Sequence, residues 1–170
     1  TGRQVVSVSD GTTTNEYEIN LGKNLLSNST FRQGNAGGSV SGNRIFCDAN
    51  YLLKANYTYT LSTNLDTSVY RYNILTSLTP FPSTNIVYNS GWVTTSSKTF
   101  TPTQDTYIGI NLGKTNDGNL TPTDIDGVQW QLEKGSQATS YSPYKTPIYS
   151  GEMRNTNNVV IAKNYINKSN

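Results

Sequence analysis

Strict alternation of polar and apolar side chains is what most restricts the folds open to this chain. In YTYTLST (57–63), Tyr57, Tyr59 and Leu61 fall on one face and Thr58, Thr60 and Ser62 on the other. That period belongs to a half-buried β-strand, whose successive side chains point to opposite faces, and not to a helix of about 3.6 residues per turn. RQVVSVSD (3–10) and TNEYEINLG (14–22) read as a hairpin around the turn DGTT. Further strands are expected at IFCD (45–48), SVYRYNIL (68–75), IVYNSGWV (86–93), KTFTPT (98–103), TYIGINLG (106–113) and VQWQLEK (128–134). Helical periodicity is nearly absent. About eight core strands separated by turn-rich loops within roughly 110 residues predict an all-β fold, an antiparallel sandwich or barrel.

Composition narrows the surface chemistry. Of 170 residues only 34% are hydrophobic and 14% charged, with a net charge of +2, so the low hydrophobicity is not coupled to the high net charge of a disordered chain. Asn, Ser, Thr, Gly and 12 tyrosines fill the difference, which suits a surface that hydrogen-bonds more than it attracts ions. No basic run of the kind a nucleic-acid partner requires is present, and no stretch approaches the ~18 apolar residues of a membrane span. Cys47 is the single cysteine, so no intrachain disulfide forms, and it is expected to be a small buried apolar residue. The chain begins at Thr and not at Met, which reads as an excised fragment.

Catalysis is hard to assemble from these residues. With no histidine, Ser-His-Asp, Cys-His and histidine–zinc arrangements are excluded. A glycosidase working through two carboxylates stays open in principle among 11 acidic residues, but the chain is expected not to be an enzyme.

Strand alternation sorts the candidate binding residues. On the closing strand, Val128, Trp130 and Leu132 share a face, which places Trp130 in the core. Gln129 and Gln131 project from the opposite face as donors and acceptors for sugar hydroxyls, or as an ordinary solvated surface. In TYIGINLG, Ile108, Ile110 and Leu112 read as core, with Tyr107 and Asn111 outward and Gly109 leaving space between them. SVYRYNIL allows two registers. The one with Tyr70, Tyr72 and Ile74 inward is preferred, because the reverse would bury Arg71 unpaired. Arg71 and Asn73 beside Tyr107 and Asn111 would then form a sugar-binding groove. Trp92, after Ser90-Gly91, is either a stacking platform for a sugar ring or a cap on the core. In the loop TNDGNLTPTDIDG, Asp117, Asp124 and Asp126 are either turn formers or calcium ligands.

Several segments together carry a resemblance. GKNLLSNSTF (22–31), YLLKANYTYTLS (51–62) and KTFTPTQDTYIGI (98–110) resemble the opening, central and later strands of jelly-roll carbohydrate-binding modules related to cellulose- and xylan-binding families. VQWQLEKGSQATSYSPY (128–144) is similar to the closing signature of such modules in bacteriophage tail proteins. They occur inserted in evolved distal tail proteins and in accessory baseplate proteins of siphophages infecting lactic acid bacteria. The flanks EINLGKN and TPIYSGEMRN resemble junctions into a tail protein. The resemblance spans about residues 22–145. It implies a non-catalytic module that binds host cell-wall polysaccharide in the virion's tail or baseplate, with other tail proteins as neighbours. It also implies a structural calcium, with Asp126 as the contributor, and no other cofactor. A tail decoration or assembly domain without sugar affinity is the alternative. The family's aromatic cellulose platform has no residue-by-residue match here, so no particular sugar is carried over. Residues 1–21 are expected to form an N-terminal strand pair or junction, 22–145 the module, and 146–170 a C-terminal linker or extension with a terminal strand at Val159–Ile161. Tyr141 and Tyr144 are expected to pack back on the sandwich.

Overall fold

A computed structural model describes residues 24–27 and 30–144 with their side chains, and the backbone of residues 2–9, 14–21, 148–149, 152–154 and 160–163. The expected turn at residues 10–13 lies outside the described residues. The strands run β1 (Gly2–Ser9), β2 (Thr14–Leu21), β3 (Arg32–Gln33), β4 (Ile45–Cys47), β5 (Leu52–Leu53), β6 (Tyr59–Thr63) and β7 (Tyr70–Ser77). They continue as β8 (Ile86–Asn89), β9 (Ser97–Phe100), β10 (Thr106–Lys114), β11 (Trp130–Lys134), β12 (Ile148–Tyr149), β13 (Glu152–Arg154) and β14 (Val160–Lys163), with one 3-10 turn at Pro122–Ile125.

The chain divides into two units, and one is inserted in the sequence of the other. The first unit comprises Thr1–Lys23 and Tyr144–Asn170, the second Asn24–Pro143. In the first, β1 and β2 form an antiparallel hairpin registered from Gly2 opposite Leu21 to Ser9 opposite Thr14, β12 adds to β2, and β13 pairs with β14. The stretch read from sequence as a linker with one terminal strand therefore carries three short strands.

The second unit holds two antiparallel sheets. The larger has the order β3-β4-β10-β7-β8, with β5 also on β10, and the smaller has the order β11-β6-β9. Their inner faces share one core that includes Ile45, Cys47, Tyr72, Ile74, Ile108, Ile110 and Leu112 from the large sheet and Tyr59, Leu61, Phe100, Trp130 and Leu132 from the small one. This is a β-sandwich, with each strand contributing alternate residues to the interior. Tyr72 and Ile74 are fully buried, so β7 takes the register that turns Arg71 outward. Trp130 is 3% exposed and packs edge-on to Tyr72 at 5.6 Å and tilted to Phe31 at 5.4 Å, geometries that aromatic rings favour. Cys47 is fully buried, and desolvation, helped by nearby Asp48, pushes its thiol up to about 12.

The outer face of the large sheet carries a second, smaller core. Phe46, Leu75 and Phe81 cluster there, with the Phe46 and Phe81 rings 5.1 Å apart. Asn50 holds the covering loop in place: its amide donates to the Phe81 carbonyl at 2.9 Å and accepts from the Phe81 N–H at 2.6 Å. Gly109 does face outward, but the space above it is filled. A Cβ there would run into Phe46 Cζ and would lie 2.8 Å from Phe46 Cε1 and 2.9 Å from Phe81 Cε2. Overpacking of this kind costs about 1–3 kcal/mol. Gly109→Ala is therefore expected to lower the unfolding free energy by that order, and less so in a Phe46→Leu background. A chemical-denaturation double-mutant cycle checks it, and a neutral Gly109→Ala would contradict the packing described.

Candidate functional site

The residues singled out from sequence separate onto the two opposite outer faces of the sandwich. On the large sheet, Asn73 lies opposite Asn111 and Arg71 opposite Gly113, so Arg71, Asn73 and Asn111 are brought together. Tyr107 pairs with Ser77, four residues along β10 from Asn111 or roughly 13 Å away. Phe46 closes the stretch between them, so the expected groove is interrupted. Asn73 is only 7% exposed; its amide donates to Asn89 Oδ1 at 2.9 Å and accepts from Ser90 Oγ at 3.1 Å. That pattern fixes the turn after β8 and leaves little of Asn73 for a ligand.

Trp92 sits at the end of this face, 37% exposed, but its ring is already in use. The guanidinium carbons of Arg44 and Arg71 lie 4.7 and 4.6 Å from the ring centre. Both arginines also donate to Asp117 Oδ1, Arg44 at 2.8 Å. Arg44 and then Arg71 hold the Asp117 carboxyl below the usual carboxylate range. Residues distant in sequence thus converge on one another, and the expected stacking platform is the base of an arginine cluster.

The small sheet is arranged differently. Gln129 and Gln131 do project from its outer face, but only Gln129 is exposed. Gln131 is 1% exposed and Glu133 4%, because residues 135–142 fold back over β11 as a strap. Gln131 Nε2 donates to Glu133 Oε2 at 2.8 Å and to the Thr139 carbonyl at 3.2 Å, while its Oε1 accepts from the Ser142 N–H at 2.7 Å. Glu133 accepts from the Thr139 N–H at 3.0 Å and from the Thr139 hydroxyl. The expectation of Gln131 as a sugar ligand is corrected accordingly: its hydrogen-bonding capacity holds the strap.

Beyond the strap the face opens into a pocket of about 190 Å³ whose lining includes Ser62, Asn64, Ser97, Gln129, Thr139 and Tyr141. Asn64 sets its floor by accepting from the Gln129 N–H at 2.7 Å, which continues the β6–β11 pairing beyond Thr63 and Trp130. Among the described residues, none that lines the pocket is charged. Among the described residues, the Gln129 side-chain amide and the hydroxyls of Ser62, Ser97 and Tyr141 make no hydrogen bond with the rest of the chain. Tyr141, expected to pack back on the sandwich, is instead 45% exposed. Ser62 was legible as the polar face of YTYTLST; Ser97, Thr139 and Tyr141 carry no local signal, because the strap brings them there.

In the aspartate loop, the Asp117 and Asp124 carboxylates are engaged within the protein. Asp117 is taken by two arginines. Asp124 caps the 3-10 turn through Thr121, whose N–H it accepts at 2.7 Å, and pairs with Lys114 at 3.2 Å. Asp126 is the exposed residue ending that turn. Calcium requires several oxygens, and the Asp117 and Asp124 carboxylates each serve a separate partner.

No family model, curated protein or solved structure matches the chain.

Gln131→Ala and Glu133→Ala are each expected to lower stability by about 1–3 kcal/mol, the cost of stranding buried hydrogen-bonding partners. Hydrogen exchange at the Thr139 and Ser142 amides should accelerate by roughly tenfold or more in both, and stay unchanged in Gln129→Ala. Unchanged exchange in the first two variants would show that these side chains do not hold the strap.

Proposed function

We propose that Asn24–Pro143 is a non-catalytic saccharide-binding module of the jelly-roll kind. It would serve a phage tail or baseplate protein by holding host cell-wall polysaccharide during adsorption. The observation that carries this reading is the uncharged pocket on the small sheet, with Gln129, Ser62 and Ser97 offering uncommitted polar groups and Tyr141 an accessible ring. Sugar hydroxyls need donors and acceptors together, which amides and hydroxyls supply, while a sugar's C–H face packs on an aromatic plane. Among the described residues no carboxylate lines the pocket, so they do not supply the pair that glycoside hydrolysis uses. The connectivity is consistent with a module carried by another protein body, since the second unit is continuous and the first is built from segments on both sides of it. A site this small buries little of its ligand and binds weakly, so repeated copies around a tail would supply avidity.

Retention of a multimerised fluorescent fusion of the full chain on lactic acid bacterial cells, after protease treatment of the cells, tests this. Gln129→Ala combined with Tyr141→Ala should reduce retained fluorescence by about tenfold or more, the equivalent of ~1.4 kcal/mol. Trp92→Ala should leave it largely unchanged. Binding lost on protease treatment, or indifferent to the double substitution, would contradict the proposal.

A further inference from the structure

The pocket's size and lining bear on which part of a polysaccharide it would hold, an inference that rests on the saccharide-binding reading above. Sites for drug-sized ligands occupy about 300–1,000 Å³, whereas this pocket encloses about 190 Å³. The strap limits it: Ala138, Thr139 and Tyr141 line the pocket, and Thr139 is held down by Glu133. The charge pattern is equally restrictive. Among the described residues neither Lys nor Arg lines the pocket, and Gln131 and Thr139, which do, both donate to the carboxylate of Glu133. An anionic group placed there would meet no counter-charge and would have a carboxylate one side chain away. The guanidinium groups of Arg44 and Arg71, which suit phosphate or carboxylate, belong to the opposite face and are bound to Asp117.

We infer that the pocket takes a single uncharged saccharide residue, a branch or chain end, and not a run of backbone sugars or a phosphorylated or uronic residue. The open groove of a chain binder would gain affinity with each added sugar. A pocket walled by the strap does not.

Titration of the full chain by ligand-observed NMR tests this. The probes are methyl glycosides of glucose, galactose, rhamnose, N-acetylglucosamine and N-acetylgalactosamine, linear trisaccharides of the same sugars, and glucuronic acid and glucose 6-phosphate. At least one neutral glycoside should bind, its trisaccharide should differ by no more than about threefold, and the charged sugars should bind at least about tenfold more weakly. Ser97→Trp, which fills the pocket, should abolish the signal while thermal melting stays cooperative. Affinity rising tenfold or more from glycoside to trisaccharide, preference for a charged sugar, or undiminished binding by Ser97→Trp would overturn the inference and leave the saccharide reading in place. Absence of binding by every saccharide in the panel would overturn both.

Discussion

The inserted unit depends on one strand, β11, which is held on three sides at once. Its inner side chains, Trp130 and Leu132, are 3% and 0% exposed in the shared core. Its free edge receives the start of the unit: the Asn24 amide donates to the Trp130 carbonyl at 2.9 Å and accepts from the Leu132 N–H at 3.1 Å, while the Leu25 N–H donates to the Leu132 carbonyl at 2.8 Å. Its outer side chains, Gln131 and Glu133, bind the strap that ends the unit. Buried hydrogen bonds contribute modestly when made, ~1 kcal/mol net each, and cost more when one partner is stranded. Because entry, core and exit all meet at β11, loosening any one exposes the polar groups of the others. The pocket wall inherits its position from the same strand.

How much of this was legible in the sequence follows from what alternation can and cannot say. It correctly assigned Trp130 and Leu132, Tyr72 and Ile74, and Ile108, Ile110 and Leu112 to the interior, because inward positions must be apolar wherever two sheets share a core. It says nothing about what covers an outward face. Gln131 was read on the right side of β11, and the strap residues that bind it lie eight to eleven residues on, in an irregular stretch of small polar residues. Gly109 likewise faced outward as expected, but the ring above it comes from Phe46, more than sixty residues earlier. Trp92 was ambiguous for the same reason, since its arginine partners come from two other strand regions and only the fold brings them together. In the aspartate loop, Asp117 and Asp124 are close in sequence but point to different partners in space.

The two outer faces consequently have different physical characters. The large sheet is covered by its own loops and by a cluster in which two cations, one carboxylate and an indole largely satisfy one another. The small sheet keeps a patch of amide and hydroxyl groups facing solvent beside a half-exposed tyrosine. A polar group that is solvated when free and paired when bound can select a ligand without destabilising the unliganded fold. That distinction sets Gln129, Ser62, Ser97 and Tyr141 apart from Trp92, whose ring is already covered by arginine.

The most direct test is amide chemical-shift mapping of the ¹⁵N-labelled chain titrated with solubilised wall polysaccharide from lactic acid bacteria. Perturbations should concentrate at Ser62, Asn64, Ser97, Gln129 and residues 138–141, with Arg44, Arg71, Trp92 and Asn111 unmoved. Shifts centred on the Trp92 face, or none on the small sheet, would contradict it.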